Sequence, residues 1–281
     1  MKLIADSGST KTDWVLIIEN QEQRKFHTVG YNPYFIDTEQ IFISLTENLT
    51  PNFNALSVDE IWFYGAGCST KEKREIVERA LFRAFPQTSK IYVDHDLLAS
   101  ARALLGDEKG FAAILGTGAN TCMYDGTKVD LNIDSLGYLL GDEGSGSYIG
   151  RKLVRDYMRK LMPSDLYEDF KLTFQMNNEQ IFEILFNTPS PNRFLASFAK
   201  FADKHKHSEY IRSKVRDSFN DFFKNLVSRY PDYKNYKLNC VGSIGFIFKD
   251  ILADTAELWG MCIGKVIQSP IDSLVDYHIC K

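Results

Sequence analysis

The stretches KLIADSGSTKTDWVLII (residues 2–18) and FAAILGTGANTCMY (residues 111–124) share one layout. In each, an apolar run that reads as a strand meets a polar, glycine-bearing turn and returns as a second apolar strand. Lys2–Ala5 and Asp13–Ile18 flank Asp6-Ser7-Gly8-Ser9-Thr10-Lys11-Thr12, while Phe111–Leu115 and Thr121–Tyr124 flank Gly116-Thr117-Gly118-Ala119-Asn120. The side chains differ between the two copies. The shared layout is what an old duplication leaves, and it predicts two domains built alike.

Outward from the first hairpin, Arg24–Val29 reads as a third strand and Glu60–Tyr64 as a buried strand ended by Gly65-Ala66-Gly67. A helix follows, with Ser69 and Glu72 at capping-box spacing and Ile76, Val77, Ala80, Leu81 and Ala84 at helical period. Lys90–Val93 returns as a strand, and Asp94-His95-Asp96 leads into a helix over Leu97–Leu105. Strands alternating with helices predict an α/β fold. The polar break at 105–110 divides the chain into domains at 1–105 and 106–281, the second carrying a helical stretch from Gly144 to about Tyr230. There Phe182, Leu185, Phe186, Phe194, Leu195, Phe198 and Phe201 recur at helical intervals and read as core. Lys237–Val241 is a late buried strand ending at Gly242-Ser243, followed by a helix over Ile247–Leu258, a strand over Met261–Ile267 and a tail from Pro270.

The 281 residues are 44% hydrophobic and 25% charged, enough to bury a sizeable core and too apolar for wholesale disorder. Thirty-three basic residues against 37 acidic ones give a net charge of -4, so the basic excess of a nucleic-acid binder is missing and a small ligand is expected. No apolar run approaches the roughly 18 residues of a membrane span, and the N-terminus reaches Asp6 too soon for a signal peptide. Cys68, Cys122, Cys240, Cys262 and Cys280 form no CxxC pair, which argues against zinc and a disulfide framework and for reduced thiols in the cytoplasm.

Glycine lets backbone N–H groups approach an anion, and Ser or Thr hydroxyls add donors. The turns at Asp6–Thr12, Gly116–Asn120 and Gly242–Ser243 are therefore candidate phosphate contacts. They are not P-loop or dinucleotide motifs: Thr10 rather than glycine precedes Lys11, and position 121 is Thr where a third glycine would stand. A fourth segment, Gly141-Asp142-Glu143-Gly144-Ser145-Gly146-Ser147, admits two readings. Its acids cap the next helix, or its glycines wrap the backbone around a ligand.

Taken in order, these motifs resemble the N-acetylglucosamine kinase branch of the actin-like sugar kinase superfamily, often grouped with the BadF/BadG/BcrA/BcrD-type ATPases. The likeness runs from Asp6 to about Gly245. It implies two ribonuclease-H-like (actin-like ATPase) domains around a cleft for ATP and sugar, closing to exclude water. It further implies that Gly8, Ser9, Thr10, Lys11 and Thr12 meet the β- and γ-phosphates and that Asp6 helps hold Mg²⁺. Gly116, Thr117 and Gly118 would face phosphate, with Thr117 and Asn120 toward the sugar, and Gly242 and Ser243 would lie near the nucleoside. Asn32 and Asp142 match the sugar-binding residues. Asp94 and Asp96 compete as the base; the spacing to Ser100 favours Asp96, also a sugar contact, though either could cap the helix.

The implied activity is transfer of phosphate from ATP to the primary hydroxyl of an amino sugar such as N-acetylglucosamine or glucosamine. Three departures stand out: Ser7 where glycine is common, Tyr138-Leu139-Leu140 at the wall that reads the sugar's N-acetyl group, and Gly264 to Pro270 in place of the usual closing Gly-Ala segment. The alternative is an ATPase that activates an oxygen-sensitive dehydratase or reductase, but no cysteine pair here has an iron–sulfur ligand layout. The expected partner is a sugar, with no nucleic acid and no membrane; a homodimer is left open.

Overall fold

The computed structural model describes residues 1–8, 10–18 and 22–279. Ser9 of the first turn and Cys280 lie outside the described residues. The chain forms two compact units: Met1–Glu108 with Gly126–Val129 and Ser269–Lys281, and Lys109–Asp125 with Asp130–Gln268.

The first unit contains β1 (Lys2–Ser7), β2 (Lys11–Ile17), β3 (Gln23–Val29), α1 (Thr38–Asn48), β4 (Glu60–Gly65), α2 (Lys71–Ala84), β5 (Lys90–His95) and α3 (Asp96–Leu105). Its sheet has the order β3-β2-β1-β4-β5, with β1 antiparallel to β2 and parallel to β4. This is the ribonuclease-H-like order. The central strand is apolar on both faces because both are covered. Leu3, Ala5, Trp14, Leu16 and Phe63 pack with Ile41 and Leu45 of α1 and Val77 and Leu81 of α2. The edge strand β3 is mostly exposed and carries Arg24 and Lys25, charges that discourage further pairing. The cap of α2 is Thr70, one residue after the Ser69 of the expected box; its hydroxyl accepts from Lys73 N–H.

The second unit runs β6 (Gly110–Leu115), β7 (Ala119–Tyr124), β8 (Val129–Leu131), α4 (Gly137–Leu140), α5 (Gly146–Met158), α6 (Ser164–Phe174), α7 (Asn178–Asn187), α8 (Pro191–Ser197), α9 (Ala199–Lys204), α10 (Glu209–Asn225), β9 (Lys237–Val241), α11 (Ser243–Ile247), α12 (Lys249–Leu258) and β10 (Cys262–Ile267). Its sheet order, β10-β9-β6-β7-β8, repeats that of the first unit strand for strand. Phe198 and Phe201 are fully packed, as the aromatic spacing implies, and both lie against Phe170 of α6. Phe182 and Phe186 are not: α7 buries only Ile181, and the two rings stack on each other at the surface.

The segment after Pro270 forms α13 (Ile271–Ile279), which packs on α3, β1 and β2 of the first unit. Its buried Ile271, Leu274, Val275 and His278 follow helical spacing, and His278 Nε2 lies 3.0 Å from the Tyr64 hydroxyl on β4. Among the described residues, no helix is long and apolar enough to cross a membrane.

Candidate active site

In the first unit, the hairpin between β1 and β2 brings Asp6 opposite Asp13 in the strand register. Parallel pairing with β4 and β5 puts Asp6, Tyr64 and Asp94 in one row at the ends of the strands. Asp96 opens α3 just past that row, its carboxylate accepting from the backbone N–H of Leu97 and its own. Asp6 and Asp96 repel each other. Burial first, then the charges of Asp96 and Asp13, push Asp6 up to about 7; burial likewise raises Asp96, against the pull of His95.

Asp94 is differently placed. Its carboxylate accepts from the Tyr92 hydroxyl at 2.7 Å and from His95 N–H at 2.8 Å, with Arg74 3.6 Å away. Neither aspartate is the helix cap that sequence spacing allowed. His95 fills that position, its Nδ1 accepting from Leu98 N–H. The hairpin tip is open: Gly8 and Thr10 are exposed, and Lys11 reaches Asp13 at 2.9 Å, with His27 Nδ1 on the other carboxylate oxygen at 2.6 Å. Thr12 is fully buried, and its hydroxyl donates to Val29 O, so its side chain turns inward rather than toward a phosphate. Asn32 is buried beside the Gly65-Ala66-Gly67 turn, and its Oδ1 accepts from Tyr34 N–H at 3.0 Å.

In the second unit, the Gly116–Gly118 turn closes on itself, Gly116 N–H donating to Gly118 O at 3.0 Å. The first residues of α5 grip its outer side, Gly146 N–H on Gly116 O at 2.8 Å and Ser147 N–H on Thr117 O at 3.0 Å. Asp142, held at φ +55, accepts from Ala119 N–H at 3.0 Å. A Cβ on Gly118 would stand 3.0 Å from its other oxygen. Asp142 therefore clasps the turn and does not cap α5; that cap is Ser145. The glycines of 141–146 have a packing explanation. A Cβ at Gly141 would lie 2.0 Å from Ser135 O, Gly144 takes φ +83, and Gly146 faces Gly116 O. Asn120 turns back on its own chain, Oδ1 accepting from Thr121 N–H and Asn132 Nδ2. Thr117 stays half-exposed, as do Gly242 and Ser243 at the end of β9.

The chain is 39% identical to a provisionally named N-acetylglucosamine kinase from Porphyromonas gingivalis, over 99% of this chain and 98% of that one, with a TM-score of 0.94. The chain belongs to the N-acetylglucosamine kinase-like family of actin-like sugar kinases. A provisionally named N-acetylglucosamine kinase from Chromobacterium violaceum, 15% identical over 98% of both chains, shares the fold at a TM-score of 0.72. So does a ROK-family glucokinase from Streptomyces griseus, solved with glucose and AMPPNP, at 13% identity, 99% and 98% coverage and a TM-score of 0.55. No family model and no curated protein matches the chain.

Within this kinase-like fold, some site features escaped the sequence reading. Asp13 and His27 pair across β2 and β3, and Ser7 does more than fit a turn. Glu143 is buried, with Oε1 accepting from Asn225 Nδ2 at 2.8 Å and Oε2 unpartnered among the described residues. Only strand alternation could have hinted at Asp13, and nothing local at Asn225. Cys68, Cys122 and Cys240 are buried in separate places, and burial pushes each thiol up to about 12, poorly suited to thiolate ligation. Gly242, at φ +123, has its Cα so near the Gly116–Gly118 turn that a Cβ would sit 2.4 Å from Leu115 O. Gly242→Ala is expected to destabilise the protein by about 1–3 kcal/mol, read as a lower thermal midpoint; an unchanged midpoint would contradict this crowding.

Proposed function

We propose that the chain is an ATP-dependent kinase that phosphorylates the primary hydroxyl of an amino sugar, N-acetylglucosamine or glucosamine. The observation that carries this reading is the difference between two neighbouring carboxylates. Asp94 is engaged by Tyr92 and His95, whereas Asp96, among the described residues, has only backbone donors. Its raised pKa makes it a stronger proton acceptor than an ordinary carboxylate, which suits a base for a sugar hydroxyl.

Phosphoryl transfer depends on positioning and charge neutralisation more than on covalent chemistry. Gly8, Thr10 and Lys11 hold the terminal phosphates, with Gly116, Thr117 and Gly118 as further phosphate contacts and Gly242 and Ser243 toward the nucleoside. Asn32 and Asp142 hold the sugar. Among the described residues no group of three or more His, Cys, Asp or Glu forms a metal cage of its own. Magnesium is commonly bound by one or two carboxylates plus phosphate oxygens, so it would arrive with ATP. Asp6 is the carboxylate that would hold it, because a cation there relieves the repulsion with Asp96. The ion would supply charge neutralisation at the phosphates, and Asp96 takes the hydroxyl proton.

The test is a panel of hexoses and amino sugars with Mg-ATP, following ADP release and the mass of the product. An amino sugar is expected to raise ADP release well above background and gain one phosphate at its primary hydroxyl. If no sugar in the panel does so, the proposal is wrong.

A further inference from the structure

Ser7, Thr12 and Tyr31 are all fully buried, and their polar groups form one directed chain. Thr12 Oγ1 donates its single proton to Val29 O at 2.9 Å. In the 2.7 Å contact between the two hydroxyls, Ser7 must therefore be the donor. Ser7 Oγ in turn accepts from Tyr31 N–H at 3.0 Å. The run is Tyr31 N–H to Ser7 to Thr12 to Val29 O, with every hydroxyl proton used. The Ser7 backbone reaches the other way, its carbonyl accepting from Ala66 N–H at 2.8 Å. That bond holds the turn in which Gly67, at φ +81, lies so close to Asn32 that a Cβ there would be 2.4 Å from Asn32 Oδ1. A further bond, Gly30 N–H to Thr10 O at 3.0 Å, ties the same segment to the hairpin tip.

From this arrangement we infer that Ser7 and Thr12 are positioning residues for the sugar: although they belong to the phosphate hairpin, their hydroxyls fasten the segment that carries Asn32. The inference rests on the kinase reading for the identity of the two ligands. A glycine at position 7 has no hydroxyl and cannot make the relay, so the serine there has a job beyond fitting the turn. Because the hairpin and the Asn32 segment are bonded at Thr10, Ser7 and Thr12, ordering one orders the other.

Ser7→Ala leaves the buried Tyr31 N–H without its acceptor, and Thr12→Val removes the acceptor of the Ser7 proton at nearly constant volume. Both are expected to raise the KM for the sugar that gives turnover by about tenfold or more, since small displacements of a positioning group are costly. The KM for ATP is expected to stay within about twofold, and Thr12→Ser to recover most of the loss seen in Thr12→Val. A rise in the ATP KM with the sugar KM unchanged, or no change in either, overturns the inference. A second measurement does not depend on the variants folding. In the wild-type protein, Mg-AMPPNP without sugar is expected to slow hydrogen exchange at the Tyr31 amide, and unchanged exchange overturns the inference. If no sugar is turned over, the kinase reading fails, while the exchange measurement still judges the fastening.

Discussion

Asp96→Asn is expected to lower turnover by about 10²–10⁴-fold, the usual contribution of a positioned general base. Asparagine keeps the size and an oxygen for the backbone donors at the start of α3, but it cannot take a proton. ATP binding should stay near the wild-type level because the hairpin is untouched. Asp94→Asn is expected to change turnover far less: one amide oxygen can still accept from His95 N–H, while the contacts to Tyr92, Arg74 and the His95 ring weaken. The pH dependence has a definite sign. A base whose pKa is raised loses activity as pH falls through that raised value, so the acid limb of the wild-type profile should stand above that of an ordinary carboxylate. Thermal melts of both variants separate lost chemistry from lost fold. Abolished activity in a folded Asp94→Asn, with Asp96→Asn intact, would reverse the assignment.

Asp6→Asn is expected to move activity and stability in opposite directions. Charged oxygens suit a hard cation. Losing one should therefore raise the magnesium requirement for turnover by at least about tenfold, the scale of one lost contact to a charged group. The stability sign follows from Asp6 standing near 7 in the folded protein against 3.8 for an ordinary aspartate. Between those two values the folded chain keeps a proton that the unfolded chain releases. Asp6 therefore favours folding below about pH 4, and this contribution is lost as pH rises through about 7. At pH 8 without nucleotide, Asp6→Asn should be the more stable protein by about 1–3 kcal/mol, the solvent-open side of the carboxylate screening the rest. Melting curves from pH 4 to pH 8 (on the order of these limits) should converge at the acid end. A variant that melts lower than wild type at pH 8, or turnover indifferent to magnesium, would remove Asp6 from this role.

Most of the architecture was legible in local pattern. The apolar runs at 2–5, 60–64, 90–93, 111–115 and 237–241 each became a strand. A run buried on both faces has little alternative. The duplicated hairpin predicted two like units, and the two sheets do share one strand order. The candidate phosphate turns and the Asp94/Asp96 pair were visible as residues at strand ends, whereas Asn32 was singled out only by the family resemblance. The last helix was not. Ile271, Leu274, Val275 and His278 read as a tail after Pro270 because nothing local says they will cross back to pack on α3 and β1. The aromatic spacing misled in the other direction: helical periodicity marks a face but cannot say whether anything covers it, and Phe182 and Phe186 are left uncovered.

By itself, then, sequence determined most of the elements, their repeat and the residue types at each turn, because these depend on periodicity and on neighbours within a few positions. What each polar group does was decided by tertiary structure. Asp142 clasps Ala119 from 23 residues away, and Thr12 turns inward to Val29 O rather than outward to a phosphate. Ser7 meets the backbone of Tyr31 across 24 residues. Asp94 is tied up two residues from an Asp96 that is not. A hydrogen bond is made with whichever partner the fold brings within about 3 Å, and that partner can lie anywhere along the chain.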